Sequence, residues 1–394
     1  MSHLSTVLAG LRVLDLSQGI AGPYCTSILQ QQGAEVIKLE PPGGDWARKM
    51  GFAPVVGFTA PVIACNAGKR SVCLDLRRPQ GVAVARRLAR QADIVVQSFR
   101  PGVAERLGLG EKKLREEDPR LIYVSISGFG AEGPLADVPA TDTVMQAMTG
   151  MMVVNQDESG TPRRIGLQVA DIATALYAAQ MTTAALLHRE RVAQGSHVSV
   201  SLLQACASFQ ASAIVDSAIR AAYGASAPSA ASAPSGVFQT ADGFISLAIG
   251  NEAMFASLCD ALEQTAWKND TRFATMGSRL THACELNAAT AECLKRQPSA
   301  SWVAHLRRHG VLHAEVLNHA QLVQHPQARQ QGLFGEIEQA GVGALPFARY
   351  PSADSASLPT PAPEVGADND AVLAEAGYST HEVAMLRAEK VLVD

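Results

Sequence analysis

The sequence has no excess of basic residues, no long apolar run and no paired cysteine motif, and each absence closes off a class of function. Lys and Arg number 33 against 37 Asp and Glu, a net charge of −4, so no positive field calls for a nucleic acid. No stretch of about 18 uninterrupted apolar residues occurs, as a membrane-spanning helix would require. The opening MSHLSTVLAGLRVLDLS lacks the charged start, apolar run and cleavage site of a secretory leader. A cytoplasmic protein is expected. The seven cysteines, odd in number and without a C-x-x-C pair, argue against a disulfide framework or a zinc ribbon, and most should be small core residues. His305, His309 and His313 follow one another at helical spacing, but Gly310 interrupts them and no carboxylate or cysteine joins at ligand spacing. That pattern predicts a half-exposed helix face, and no metal is expected.

What is there is a globular composition, 47% hydrophobic and 18% charged, over 394 residues. That length suits roughly two or three domains at ~150 residues each. Residues 11–16 (LRVLDL) read as a strand, Gly19 and Gly22 as a turn with Pro23 opening a helix, and 36–39 as the next strand. The alternation continues through a strand at 70–75, a helix at 79–91, and strands at 94–96 and 121–127. Strands separated by helices imply a mostly parallel sheet, because parallel neighbours need crossover helices. Residues 167–187 read as one long alanine-rich helix or a short strand feeding one, 197–203 as a strand and 236–250 as a hairpin. Residues 251–313 read as helical, and a helical pair closes the chain. Two small-residue, Pro-containing connectors, 224–236 and 351–366, divide it. The predicted domains are a large α/β domain begun by 1–224, a small domain at 225–330, and 331–394 returning to the large one.

Three groups of residues could carry chemistry. The turn GIAG-P (19–23) follows a strand and opens a helix, where backbone N–H groups can meet a phosphate. It is not G-x-G-x-x-G and no P-loop lysine follows, so neither NAD nor ATP is indicated. Lys69, Arg70, Arg77, Arg100 and Arg106 flank strands, where guanidinium groups could hold phosphates or simply face solvent. Asp171 is the only carboxylate between Glu158 and Glu190, set in the apolar run IGLQVA-D-IATALYAA. A charge there is costly unless it is bonded or functional. Helix capping and catalysis are both open to it.

At these residues the chain resembles the family III CoA-transferases, the group that includes formyl-CoA:oxalate and carnitine CoA-transferases and the α-methylacyl-CoA racemases. The likeness runs through LAGLRVLDLSQGIAGPYCTSILQQQGAEVIKLEPPGGD (8–45), NAGKRSVCLDLRRPQG (66–81), FRPGVAERLGLG (99–110), DTVMQAMTG (142–150) and the segment from Val169 to Ala205. The resemblance implies a Rossmann-like large domain plus a small α+β domain, in a homodimer of interlocked rings. It implies Asp171 as the catalytic nucleophile, with acyl-CoA and a small carboxylic acid as substrates and no permanently bound cofactor. CoA contacts are implied at Ile20, Ala21, Leu74, Arg77, Ser98, Phe99, Arg100, Arg106, Thr141 and Asp142. Succinyl-CoA is a common donor in the family, and Arg163 and Arg164 could hold the second carboxylate of such an acid. Amides at the start of the helix carrying Asp171 are expected to stabilise developing oxyanions.

The sequence also departs from the family pattern. Ser98 stands where many relatives carry Asn, and Pro41 and Pro139 where some carry a cation. The oligoglycine loop of the formyl-CoA enzyme is replaced by the Ala/Ser/Pro stretch before Gly236. The alternative activity is a racemase, which needs a basic group, typically His, where this chain has Thr141.

Overall fold

The computed structural model describes residues 4–157, 159–224, 232–351 and 358–393. Two compact units emerge, one of Met1–Val215 with Gln330–Asp394 and one of Asp216–Arg329. Much of the two sequence connectors, 225–231 and 352–357, lies outside the described residues.

The first unit is built on β1 (Arg12–Asp15), β2 (Glu35–Glu40), β3 (Arg70–Cys73), β4 (Ile94–Gln97), β5 (Ile122–Ser127) and β6 (His197–Ser201). All pair in parallel, in the order β3-β2-β1-β4-β5-β6. This is a doubly wound sheet whose connections reverse direction at β1 and β4, the place where such sheets open a crevice for ligands. Alternate strand residues feed two separate cores. Val13, Val36, Val96 and Val124 face α1 (Ala21–Gln31) and the long α5 (Val169–Val192). Leu14, Ile37, Val72 and Val95 face α3 (Pro79–Ala89) and the C-terminal α6 (Asn369–Glu375). Helix α5 presents Ala170, Ala178, Ala179 and Ala185 to its core, small side chains that let helix and sheet approach closely. Its other face leaves Leu176, Met181 and Leu187 exposed.

The returning chain finishes the sheet. β3 is an edge strand, and the carboxylate of Asp368 accepts from Ser71 N at 2.8 Å while Asn369 Oδ1 accepts from Cys73 N at 2.9 Å. Those bonds cover amides that an open edge would expose. Before this lies an antiparallel hairpin, β10 (Phe334–Gln339) and β11 (Gly343–Ala348), which the sequence reading had absorbed into the tail. Its Ile337 and Phe347 pack on Phe58 and on Ile63 of α2 (Ala60–Asn66).

The second unit is a three-stranded antiparallel sheet, β7 (Ser235–Gln239), β8 (Phe244–Ala248) and β9 (His313–Glu315), with helices around a core of Phe238, Ile245, Phe255, Leu258 and Trp302. Arg279 is fully buried there, donating to Ala233 O and Phe273 O and lying over the Phe255 ring. The predicted histidine face is corrected: Gly310, with φ +67°, ends the helix, so His313 belongs to β9 rather than to a helix with His305 and His309. Among the described residues, no single helix is long and apolar enough to cross a membrane; the bent pair Leu202–Phe209 and Ala211–Tyr223 would pass on length and composition alone.

Candidate active site

The turn between β1 and α1 rests on a buried network of charges. Asp15, at the end of β1, accepts from Ser17 N at 2.9 Å, from Thr26 Oγ1 at 2.6 Å and from Lys69 Nζ at 3.0 Å. Burial alone would raise the Asp15 carboxyl, but Lys69, Lys38 and the Ser17 and Thr26 hydroxyls hold it far below the ordinary carboxylate range. Lys38 Nζ donates to Ser17 O at 2.7 Å and pairs with Asp45 at 3.0 Å, and Asp45 in turn accepts from Gly19 N at 3.0 Å. Lys69 also donates to Pro23 O at 2.8 Å. Four points of the turn, Ser17 N, Ser17 O, Gly19 N and Pro23 O, are thereby bonded to buried charges. Gly19 takes φ +84°, and a Cβ there would lie 2.2 Å from the Trp46 ring; one on Gly22 would meet Ser17 at the same distance. Only glycine fits either position.

Above this turn opens a cavity of about 450 Å³. It gathers Ile20 and Ala21 from the turn, Ser98, Phe99 and Arg100 after β4, Thr141 and Asp142 at the start of α4 (Asp142–Met148), and Asp171 from the first turn of α5. Most of the predicted CoA residues thus surround the predicted nucleophile. Arg77 and Phe99 line an adjoining cavity, also of about 450 Å³, with Leu39 and Val103. Arg77 is well exposed there and paired with Asp75 at 2.8 Å. Leu74 and Arg106 line neither cavity: the Leu74 side chain is fully buried in the core and Arg106 is exposed. Of the two arginines before Asp171, Arg163 is bound to Asp157 at 2.6 Å, whereas Arg164 lines the Asp171 cavity, where Thr143 Oγ1 lies 3.4 Å from it.

Asp171 does not cap its helix. That task falls to Asp142, 29 residues earlier, whose Oδ2 accepts from Ala170 N at 2.8 Å and from Asp171 N at 3.4 Å. Gln146 Nε2 donates to the other Asp142 oxygen at 2.6 Å. Two expectations change. The capping role considered for Asp171 is taken by another residue, and the helix-start amides expected to serve an oxyanion are committed to Asp142. Burial, with the nearby Asp142 charge adding to it, pushes the Asp171 carboxyl up to about 7. Thr141 Oγ1 accepts from Val144 N at 3.5 Å as the cap of α4.

Gln18, Trp46, Met50 and Gln168 also line the cavity and were missed. Asp45–Trp46 follow the Pro-Pro-Gly-Gly punctuation at 41–44, a signal that the chain folds back there.

The succinate–glutarate CoA-transferase of Agrobacterium fabrum is 33% identical over 389 residues, 95% of this chain and 97% of that protein. The acetyl-CoA:oxalate CoA-transferase of Acetobacter aceti is 35% identical over 84% of this chain and 86% of its own length. The crystal structure of a CAIB/BAIF family protein from Brucella suis superposes with a TM-score of 0.84 at 32% identity, covering 94% of this chain and 100% of that one. The family model for CoA-transferase family III matches residues 8–369, and the chain belongs to that family.

Proposed function

We propose that this chain moves coenzyme A from an acyl-CoA to a carboxylic acid through covalent intermediates on Asp171. The reading is carried by the Asp171 carboxyl, raised to about 7 and facing the cavity that also gathers Ile20, Ala21, Ser98 and Arg100. An Asp171 oxygen attacks the donor thioester carbonyl and the C–S bond breaks, so that CoA leaves as a thiolate and the acyl group remains on Asp171 as a mixed anhydride. The thiolate attacks the Asp171 carbonyl carbon, releasing the donor carboxylate and leaving an aspartyl-CoA thioester. The acceptor carboxylate then runs the two steps in reverse, and no net proton is taken up. Each step exchanges one good leaving group for another.

The setting of Asp171 favours this route. Burial and the Asp142 charge penalise the carboxylate, and acylation abolishes its charge, so forming the anhydride relieves that penalty. The same environment makes the carboxylate a stronger base, hence a better nucleophile, than an exposed one. Arg100 and, in the adjoining cavity, Arg77 supply cations for CoA phosphates. One acid of the exchange is a short dicarboxylate, its distal carboxylate held by Arg164. Relatives named for succinate, glutarate and oxalate support that class.

The assembly consistent with the family resemblance is an interlocked homodimer. The exposed apolar side chains of α5, together with Val144 and Met148 of α4, supply surface for a partner copy. Threaded chains separate only by unfolding, so tagged and untagged dimers should form no hybrids under native conditions. Rapid exchange would show that the copies merely dock.

The activity is tested by incubating enzyme with succinyl-CoA and glutarate and following acyl exchange. Asp171→Ala should retain CoA binding yet lose several orders of magnitude in transfer. Transfer within about tenfold of wild type would remove Asp171 from the mechanism. Racemase activity, read as α-deuterium exchange, should be absent, because Thr141 cannot accept a proton near neutral pH.

A further inference from the structure

A third cavity, of about 860 Å³, lies in the same unit and is walled mostly by apolar side chains, with Gln31, Gln168 and Arg349 also on its lining. Phe58, Ile63 and Ala64 contribute from in and around α2, and Ile337, Leu345 and Phe347 from the β10–β11 hairpin. The hairpin packs on α2 through the Phe58–Ile63–Ile337–Phe347 cluster and leaves this space beside it. Two residues, Ile20 and Gln168, line both this cavity and the one that holds Asp171, and Ile172, next to the nucleophile, lines the apolar one. Asp171 lines the first cavity, with Arg164 and Arg100 on its polar wall, and the apolar space adjoins that cavity along Ile20 and Gln168.

A succinate-sized acid has no use for that volume, which falls in the range that encloses a drug-sized apolar ligand. We propose that the apolar cavity receives the hydrocarbon part of one of the two acids, so that the enzyme pairs a short dicarboxylate with a carboxylic acid bearing an extended aliphatic or aromatic chain. This rests on the transferase reading above and adds to it the class of the second substrate. The two acids occupy Asp171 in turn, not together, so one carboxylate can serve both while each chain takes its own direction. Burial of hydrocarbon supplies binding for the long acid, and Arg164 supplies it for the diacid.

The test measures kcat/KM for acetate, butanoate, hexanoate, octanoate, phenylacetate and glutarate with succinyl-CoA as donor. The straight-chain series should rise by up to about fourfold for each methylene buried. Ala64→Phe, on α2, and Ala348→Phe, on β11, each place a ring in the cavity from an exposed alanine. Each should lower the ratio of octanoate to acetate at least about tenfold. A flat or falling series in wild-type enzyme that still transfers to glutarate would overturn this inference alone. An octanoate-to-acetate ratio unchanged in both folded variants would overturn it as well. Transfer to no acid, glutarate included, would overturn the transferase reading and this inference with it.

Discussion

Lowering the pH from 8 to 6 should cost the enzyme about nine-tenths of its first half-reaction. On the covalent route proposed above only the ionised Asp171 attacks a thioester, and its carboxyl is pushed up to about 7 by burial and by the Asp142 charge. At pH 8 about nine molecules in ten then carry the nucleophile, and at pH 6 about one in ten, whereas an unshifted aspartate would stay ionised throughout. The measurement is kcat/KM for acyl-CoA between pH 5 and 9, followed as release of the donor acid, which reports the free enzyme. A phosphate monoester on the substrate also titrates near about pH 6, so a variant must separate the two. Asp142→Asn removes the neighbouring charge and keeps an oxygen for Ala170 N, at the expense of setting an amide against Gln146 Nε2. Its midpoint should move to lower pH without reaching the ordinary aspartate range, because burial remains the larger cause. A substrate phosphate would not move at all. A flat wild-type profile, or a midpoint that Asp142→Asn leaves in place, would refute the account of how this site activates its carboxylate.

The same shift bears on stability with a definite sign. A folded-state value near 7 against 3.8 unfolded means that wild type loses stability as pH rises between those values. Asp171→Asn should therefore be the more stable protein at pH 8, by at most on the order of 4 kcal/mol, and the advantage should vanish near pH 4; denaturant melts at both pH values check this. Lys69→Met leaves Asp15 buried without its main cation and should cost about 3–5 kcal/mol, with Asp15→Asn restoring part of the loss. A cost below about 1 kcal/mol would show that the pair is not buried as described.

How far the sequence reaches is decided by distance along the chain. The six strands of the large sheet were legible because each is a short β-rich run between glycine or helix signals, as in LRVLDL and LIYVSIS. Asp171 was legible as a lone carboxylate among apolar neighbours. The cap supplied by Asp142 was not, because the two lie 29 residues apart and only the packing of α4 against α5 brings them together. Lys69 and Asp15 are separated by 54 residues, and Lys69 could be read only as one cation among several. The β10–β11 hairpin does carry a local signal, the glycines of QAGVGA between alternating residues, and it was passed over for the Pro-rich segment that follows. His313 was misplaced because helical spacing was continued across Gly310, whose left-handed backbone ends the helix.

The charges beneath the glycine turn also constrain how such a chain can vary. Asp15, Lys38, Asp45 and Lys69 are each buried and each bonded to at least one other. Replacing any one leaves a buried partner short of an opposite charge, a loss of up to several kcal/mol that would consume much of the stability a domain possesses. Apolar substitutes for a whole pair can be tolerated, but the path to them passes through a single change that is not. The floor of this site is thus a trap in sequence space, while cavity-lining side chains such as Arg164 and Ala64 are exposed and can be exchanged one at a time. A lineage built on this frame would find new acids readily and a new cofactor turn hardly ever.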